Sequence, residues 1–123
     1  MNKLIKVTST SAIKPINKTV LIFDKSNFVT FPINANIQCQ AHVQYQGWKN
    51  WANEGTIAGT TGLGLNLEAI KLRLNNLPGY SIQYRAHVQY VGWQDWKKDG
   101  EIAGTTGQNL RIEAIQIKLV RTD

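Results

Sequence analysis

The chain has 123 residues and a mass of 13.8 kDa, which is the size of one domain. Hydrophobic residues make up 42% of the sequence and charged residues 18%, which is typical of a folded protein and excludes a disordered one. A single cysteine, Cys39, excludes an intramolecular disulfide, and no Cys/His cluster offers a zinc site. We therefore expect no cofactor and no metal.

No segment is long and apolar enough to enter a membrane. The longest aliphatic and aromatic run is Val20–Phe23, whereas a membrane helix needs about 20 apolar residues. Residues 1–6 are not followed by the apolar stretch of about 7 to 15 residues that a signal peptide requires. The sequence therefore predicts a cytoplasmic protein, or one released by lysis or by an unconventional route.

The net charge of +6 is concentrated at the N-terminus. Residues 1–36 carry five lysines against one aspartate, while the remaining 87 residues hold nine basic and seven acidic groups. A nucleic-acid-binding protein usually gathers its basic residues on the recognition surface. Because most of the chain is nearly neutral, we expect no nucleic-acid partner.

The first 36 residues break into three strand-like pieces, separated by turn-forming Ser, Pro, Asn and Asp residues. The pieces are Lys3–Thr8, Lys18–Phe23 and Asn27–Phe31. One interpretation is a degenerate third unit that covers strand edges left open by the rest of the chain. The alternative is an N-terminal arm that completes the sheet of a partner subunit.

The remainder of the chain is an internal repeat with an offset of 45 residues. Ile37–Leu74 aligns with Ile82–Leu119 without a gap, and 22 of the 38 positions are identical. A period near 45 is typical of proteins in which each repeat is one supersecondary unit covered by its neighbours. The sequence therefore predicts one domain of three parts: residues 1–36, 37–81 and 82–123.

Each repeat is predicted to contain three strands. Ala41–Trp48 alternates apolar and polar residues, which indicates a half-buried strand. The turn signal Asn53–Gly55 leads to a short strand through Ile57 and Ala58, and Leu67–Leu74 forms the third strand. The elements of the second repeat are Ala86–Trp93, the turn Lys98–Gly100, Ile102–Ala103 and Ile112–Leu119.

Three such units predict an all-β protein. They close most naturally around a pseudo-threefold axis, as a β-prism-like arrangement of three small antiparallel sheets. A β-trefoil-like arrangement is the alternative, but it usually needs four strands in each unit.

Three sequence blocks occur in both repeats: H-V-Q-Y-x-G-W-x-x-W, G-x-I-A-G-T-T-G and E-A-I-x-(I/L)-x-L. They resemble the clostridial hydrophobic repeat with a conserved Trp, the ChW family. The resemblance covers 76 of the 123 residues and is absent from the first 36. It implies a β-strand repeat of bacterial surface or secreted proteins that binds polysaccharide or other cell-surface ligands. Without a signal peptide or an attached enzyme, the chain fits a small free-standing lectin better than a surface anchor.

The candidate sugar platforms are Trp48 and Trp93, which share the polar parity of the predicted first strand. An exposed indole can stack on the C–H face of a sugar ring. Burial in the core is the alternative for this pair, and we expect the other two tryptophans, Trp51 and Trp96, to wedge between sheets.

Polar residues near each tryptophan pair could bind sugar hydroxyls, because carboxylates and amides form paired hydrogen bonds. The alternative for the acidic-Gly pairs among them is a simple turn. His and Gln residues of the same strand parity could extend a polar groove, or be satisfied structural residues. The candidates are Asn50, Glu54, Gly55, Asp95, Asp99, Gly100, His42, His87, Gln44 and Gln89.

Glu68 and Glu113 share the parity of the apolar residues in the third strand. A buried carboxylate must be paired, because burying it alone costs several kcal/mol. We expect a structural role, with a Trp N–H, the Thr-Thr loop or the His of the same repeat as the partner.

The sequence predicts a binding protein and no enzyme. The only candidate acid-base pairs are His42 with Glu68 and His87 with Glu113, and their duplication is typical of linked binding sites that gain avidity. We predict a lectin with two similar sites of unequal affinity, one per repeat, for glycans or cell-surface polysaccharide, and a possible homodimer. The alternative is a protein-interaction or cell-surface attachment module without sugar specificity.

Overall fold

The computed structural model describes residues 18–21, 28–31 and 34–122, with side chains for 34–122. All regular elements within these residues are β-strands, so the predicted all-β class is confirmed. Strands β1 (Lys18–Leu21) and β2 (Phe28–Phe31) form an antiparallel hairpin. The predicted strand Lys3–Thr8 lies outside the described residues.

The first repeat is built around a long antiparallel pair. Strand β3 (Asn36–Val43) pairs with β5 (Leu67–Asn75), and the short strand β4 (Gly47–Trp48) pairs with the end of β3. The alternating apolar residues of β3 and β5 place one face of this sheet on the core. The predicted third strand Leu67–Leu74 is therefore confirmed to within one residue.

The second repeat has the same pairing around β6 (Tyr80–Val88). This strand pairs with β10 (Ile112–Arg121), with β7 (Gly92–Trp93) and with β8 (Lys97–Lys98). The predicted third strand Ile112–Leu119 is thus confirmed and is two residues longer in the structure.

The prediction of one continuous strand over Ala41–Trp48 is wrong. Strand β3 ends at Val43, and a turn closed by a 2.9 Å hydrogen bond from the N–H of Gln46 to the Val43 carbonyl reverses the chain. Tyr45 and Gly47 adopt positive φ angles of 67° and 77°, which a continuous strand does not allow. The predicted strand Ala86–Trp93 is wrong for the same reason, with Tyr90 at 64°.

The predicted short second strand does not pair within its own repeat. Strand β9 (Ala103–Gly104) pairs with β5 of the first repeat, with Ala103 opposite Ile70. Neither its counterpart Ala58–Gly59 nor the predicted strand through Ile57 and Ala58 is a strand. The other two-residue strands, β4, β7 and β8, pair within their own repeats, whereas β9 crosses to the open edge of β5. The three-stranded unit predicted for each repeat is therefore corrected to two four-stranded sheets, and the sheet of the first repeat receives β9 from the second.

The core lies between the two sheets and is continuous across the repeat boundary. Tyr84 is completely buried there, and its hydroxyl donates a hydrogen bond to the Glu101 carbonyl. Burial raises the pKa of Tyr84 above its usual value. Around it pack buried aliphatic residues of both repeats, including Ile70, Leu72, Ile82, Val88, Ala103 and Leu119.

Candidate functional site

In each repeat, the turn after the first long strand, β3 or β6, brings the first tryptophan beside a histidine. Trp48 lies opposite His42, with ring centroids 5.1 Å apart and the rings nearly perpendicular. Trp93 and His87 have the same arrangement at 5.2 Å. Trp48 is half-buried, while Trp93 is 43% exposed. Both rings are at least partly exposed, and their role as sugar platforms stays a prediction.

Basic side chains cover one side of these rings. Lys71 Nζ lies 4.4 Å from the Trp48 ring centroid, and the Arg85 guanidinium lies 4.8 Å from that of Trp93. A cation over an aromatic face is stabilising, and it leaves less of that face free for a sugar.

The second tryptophan of each repeat is also half-buried beneath a cation. Arg73 lies 4.0 Å from the Trp51 ring, and Lys118 Nζ lies 3.7 Å from the Trp96 ring. Burial, together with the charge of Arg85, lowers the pKa of Lys118. Neither ring is among the residues of the buried hydrophobic core, and the expectation that both wedge between sheets stays a prediction.

Three of the six candidates near the tryptophans have structural contacts of their own. Glu54 Oε1 accepts the N–H of Ile37 at 2.7 Å, and Asp99 Oδ2 accepts the N–H of Leu74 at 3.1 Å. The structure therefore places the two acidic residues in turns that tie strands together. Asn50, Asp95, Gly55 and Gly100 are exposed, and Gly100 donates its N–H to the Leu72 carbonyl at 2.8 Å.

A groove of about 640 Å³ lies at the junction of the two repeats. Its lining combines polar and apolar groups, and neither repeat forms it alone. The first repeat contributes His42, Gln44, Tyr45 and Glu68, and the second contributes Thr106, Gly107 and Asn109.

Glu68 forms the base of the groove and is only 5% exposed. Its Oε1 lies 3.0 Å from His42 Nδ1, which confirms the expectation that the histidine of the same repeat is its partner. The two atoms are not aligned for a hydrogen bond, so the buried Nδ1 of His42 has no hydrogen-bond partner among the described residues. The same holds for the buried hydroxyl of Thr105, whose N–H donates to the Glu68 carbonyl at 3.0 Å.

A hydrogen bond across the repeat boundary fixes one wall of the groove. Gln44 accepts the N–H of Asn66 through Oε1 at 3.1 Å and donates through Nε2 to the side-chain oxygen of Asn109. Asn109 has a positive φ of 58°, and its counterpart in the first repeat is Gly64. Only the second repeat therefore carries a side chain at this position that reaches its neighbour.

Tyr45 stands at the rim of the groove. It lies at the tip of the β3–β4 hairpin and is 88% exposed. An exposed aromatic ring beside polar groups is the arrangement that binds the apolar face of a sugar while hydrogen bonds fix its hydroxyls. Tyr90, its counterpart, is equally exposed, but it does not line this groove.

The corresponding region of the second repeat is more open. His87 Nδ1 lies 3.2 Å from Glu113 Oε1, and both side chains are about 35% exposed. Arg111 also contacts Glu113, at 3.4 Å. No loop within the described residues covers this pair in the way that Thr106 and Gly107 cover the first. The two repeats thus present unequal surfaces.

The structure brings together only part of the predicted site. His42 and Gln44 lie in the groove and Trp48 packs against His42, whereas Glu54 and Asp99 lie elsewhere. Tyr45 was not predicted, because Ala41–Trp48 was interpreted as one strand, and Gly107 and Asn109 were not predicted, because they reach the groove through the contact between the repeats. The sequence signal for the turn was Gly47, two residues after Tyr45, because glycine is common in turns.

Two other types of site were sought in the part of the chain that the structure describes. No group of three or more His, Cys, Asp and Glu side chains there could hold a metal ion. No helix in those residues has the length and hydropathy needed to cross a membrane.

The family described as Clostridial hydrophobic W matches the chain twice, at residues 42–76 and 87–121. The two matches together cover more than half of the sequence, so the chain belongs to this family, as its sequence motifs predicted. No curated protein and no solved structure matches the chain.

Proposed function

We propose that the protein binds carbohydrate, and that its principal site is the groove between the repeats. The observation that carries this proposal is the exposed Tyr45 ring beside a set of polar groups fixed by the fold: His42, Glu68, Thr106 and Asn109. A pyranose has an apolar C–H face and a rim of hydroxyls, and this combination complements both.

The polar groups offer the hydrogen-bonding types that sugar hydroxyls use. Glu68 supplies a carboxylate acceptor held by the fold, and Thr106 supplies a hydroxyl that can donate or accept. The unpartnered Nδ1 of His42 is buried beside Glu68, so a ligand hydroxyl or a water could satisfy it. We propose binding rather than catalysis, because the residues that line the groove include no second carboxylate that could act with Glu68 as an acid-base pair.

We propose two sites of unequal affinity, as the sequence predicted, but the reason is now the different covering of the two repeats. The first repeat receives a covering loop from the second, while His87 and Glu113 stay open. We propose strong binding at the groove and weak binding at the Trp93 face, which is the more exposed of the two tryptophan faces.

A second candidate is a protein-interaction or cell-surface attachment module. Several large apolar side chains of the loops are exposed, among them Ile57 at 69% and Leu63 at 60%. Such residues can be buried in an interface with another protein. This module would be insensitive to free sugars, and substitutions at Tyr45 would not affect it selectively.

The pseudo-threefold β-prism-like arrangement is also a proposal. Its support is the way β9 of the second repeat docks on β5 of the first, because the same contact repeated once more would require a third unit.

A glycan array tests the proposed function directly. Wild-type protein is compared with Tyr45→Ala, with the matched control Tyr90→Ala, and with the Trp48→Ala/Trp93→Ala double variant, after folding is checked by circular dichroism. We expect selective binding that Tyr45→Ala abolishes and Tyr90→Ala largely preserves. A blank array from folded wild-type protein would favour the protein-interaction module.

A further inference from the structure

A second cavity, of about 380 Å³, lies beside the first repeat. Its walls are Cys39 of β3, the loop containing Ala52, Glu54 and Ala58, and Ile117 of β10. The cavity is therefore bounded by both repeats.

The second repeat shows how the equivalent position is occupied. The counterparts of Cys39 and Ala58, 45 residues later, are Tyr84 and Ala103. Both are completely buried against β5 of the first repeat. The cavity in the first repeat is thus equivalent to the position that β5 occupies beside the second repeat.

Glu54 identifies the missing chemical group. Its Oε1 accepts the N–H of Ile37, but its Oε2 is buried and has no hydrogen-bond partner among the described residues. In the second repeat, Asp99 accepts the N–H of Leu74 from the edge of β5. A buried carboxylate oxygen without a partner is costly, and a strand-edge N–H would satisfy it.

The chain connection indicates which strand supplies this N–H. Residues 76–79 connect β5 to β6, and residues 32–35 connect β2 to β3, so the two links have the same length. Strand β2 is therefore joined to the first repeat as β5 is joined to the second.

We propose that strand β2, together with its hairpin partner β1, docks against the 52–58 loop of the first repeat. A main-chain N–H of β2 donates to Oε2 of Glu54, and β2 receives the N–H of Gly55 as β5 receives that of Gly100.

Amide hydrogen exchange on the full-length wild-type chain tests whether the loop is covered. Gly100 donates its N–H group to the Leu72 carbonyl in the described junction. Its counterpart in the first repeat is Gly55. We expect Gly55 to be protected to within about tenfold of Gly100. Exchange of Gly55 at the rate of a free amide would overturn the proposal.

Cross-linking to the native Cys39 tests the identity of the occupant. Phe28→Cys and Val29→Cys, at adjacent positions of β2, are treated with a short bismaleimide in the full-length chain. The control is Val91→Cys, which places a thiol on an exposed hairpin tip of the second repeat. We expect at least tenfold faster intrachain cross-linking for one β2 variant than for the control.

Equal rates for the β2 variants and the control would overturn the proposal. Predominantly interchain products would also overturn it and assign the cavity to a second copy. If both β2 variants fail to fold, the wild-type exchange experiment decides: protection of Gly55 that is independent of protein concentration supports an intrachain occupant, and protection that is lost on dilution contradicts it.

Discussion

Ala103 of the second repeat pairs with Ile70 of the first, and both residues are almost completely buried. This contact joins two sequence repeats into one core. It also carries the following loop, with Thr106 and Asn109, over His42 and Glu68. The candidate binding groove therefore exists because a strand of one repeat completes the sheet of the other.

The close approach at this junction predicts a severe effect of Gly104→Ala. A Cβ at Gly104 would lie 2.4 Å from the Glu68 carbonyl oxygen, and its φ of 100° disfavours any side chain. We expect a loss of about 2 to 4 kcal/mol in the free energy of unfolding, measured by urea denaturation.

Gly64→Ala is the matched control for this substitution. Gly64 also has a positive φ, but a Cβ there has no neighbour within 4 Å, and its counterpart is Asn109. We expect a loss of about 1 kcal/mol or less. Equal effects of the two substitutions would contradict the packing described for the junction.

Tyr84→Phe removes one buried hydroxyl and little else. The Tyr84 hydroxyl donates to the Glu101 carbonyl, which loses this bond in the variant. We expect the free energy of unfolding to fall by about 1 kcal/mol. Tyr90→Phe is the control, because Tyr90 is 90% exposed, and it should change stability by less than about 0.5 kcal/mol.

The two Glu–His pairs predict different effects on ligand affinity. Glu68→Gln changes a carboxylate at the base of the groove, whereas Glu113→Gln changes one that is about 35% exposed and outside the groove. We expect the first substitution to weaken glycan binding about tenfold or more, and the second to leave it within about twofold. Similar losses from both would favour equivalent sites in the two repeats.

The Cys39 thiol should react slowly in the native protein. Burial raises its pKa from 9.0 to about 11, so near pH 8 the fraction of reactive thiolate is lower in the folded state. The higher nucleophilicity of such a thiolate offsets part of this loss. We expect alkylation by iodoacetamide at pH 8 to be about tenfold slower than in urea-unfolded protein, and equal rates would contradict the burial of Cys39.

The long strands could be predicted from the sequence because alternation over eight or more residues defines a buried face. Strands β5 and β10 begin at the predicted residues, Leu67 and Ile112. The hairpin at Tyr45 was missed, since alternation continues through the turn and a non-glycine residue adopts the positive φ. Alternation reports which side chains share a parity, but it does not report where the backbone reverses.

The pairing of Ala103 with Ile70 could not be predicted either. A strand of two residues has no pattern that specifies its partner, and the choice of β5 depends on an open edge in another repeat. The groove depends on this pairing, so sequence analysis identified His42 and Gln44 but not Asn109. Prediction of the site was therefore limited by the contact between the repeats rather than by the chemistry of the residues.

The most direct test of the central claim is an NMR titration of the full-length protein with the best glycan from the array, combined with calorimetry. If the groove between the repeats is the principal site, tight binding should have a stoichiometry of one. The largest shifts should fall on His42, Tyr45 and Glu68 of the first repeat and on Thr106 and Asn109 of the second. Two equivalent binding events, with equal shifts around His42 and His87 and none at Asn109, would contradict it.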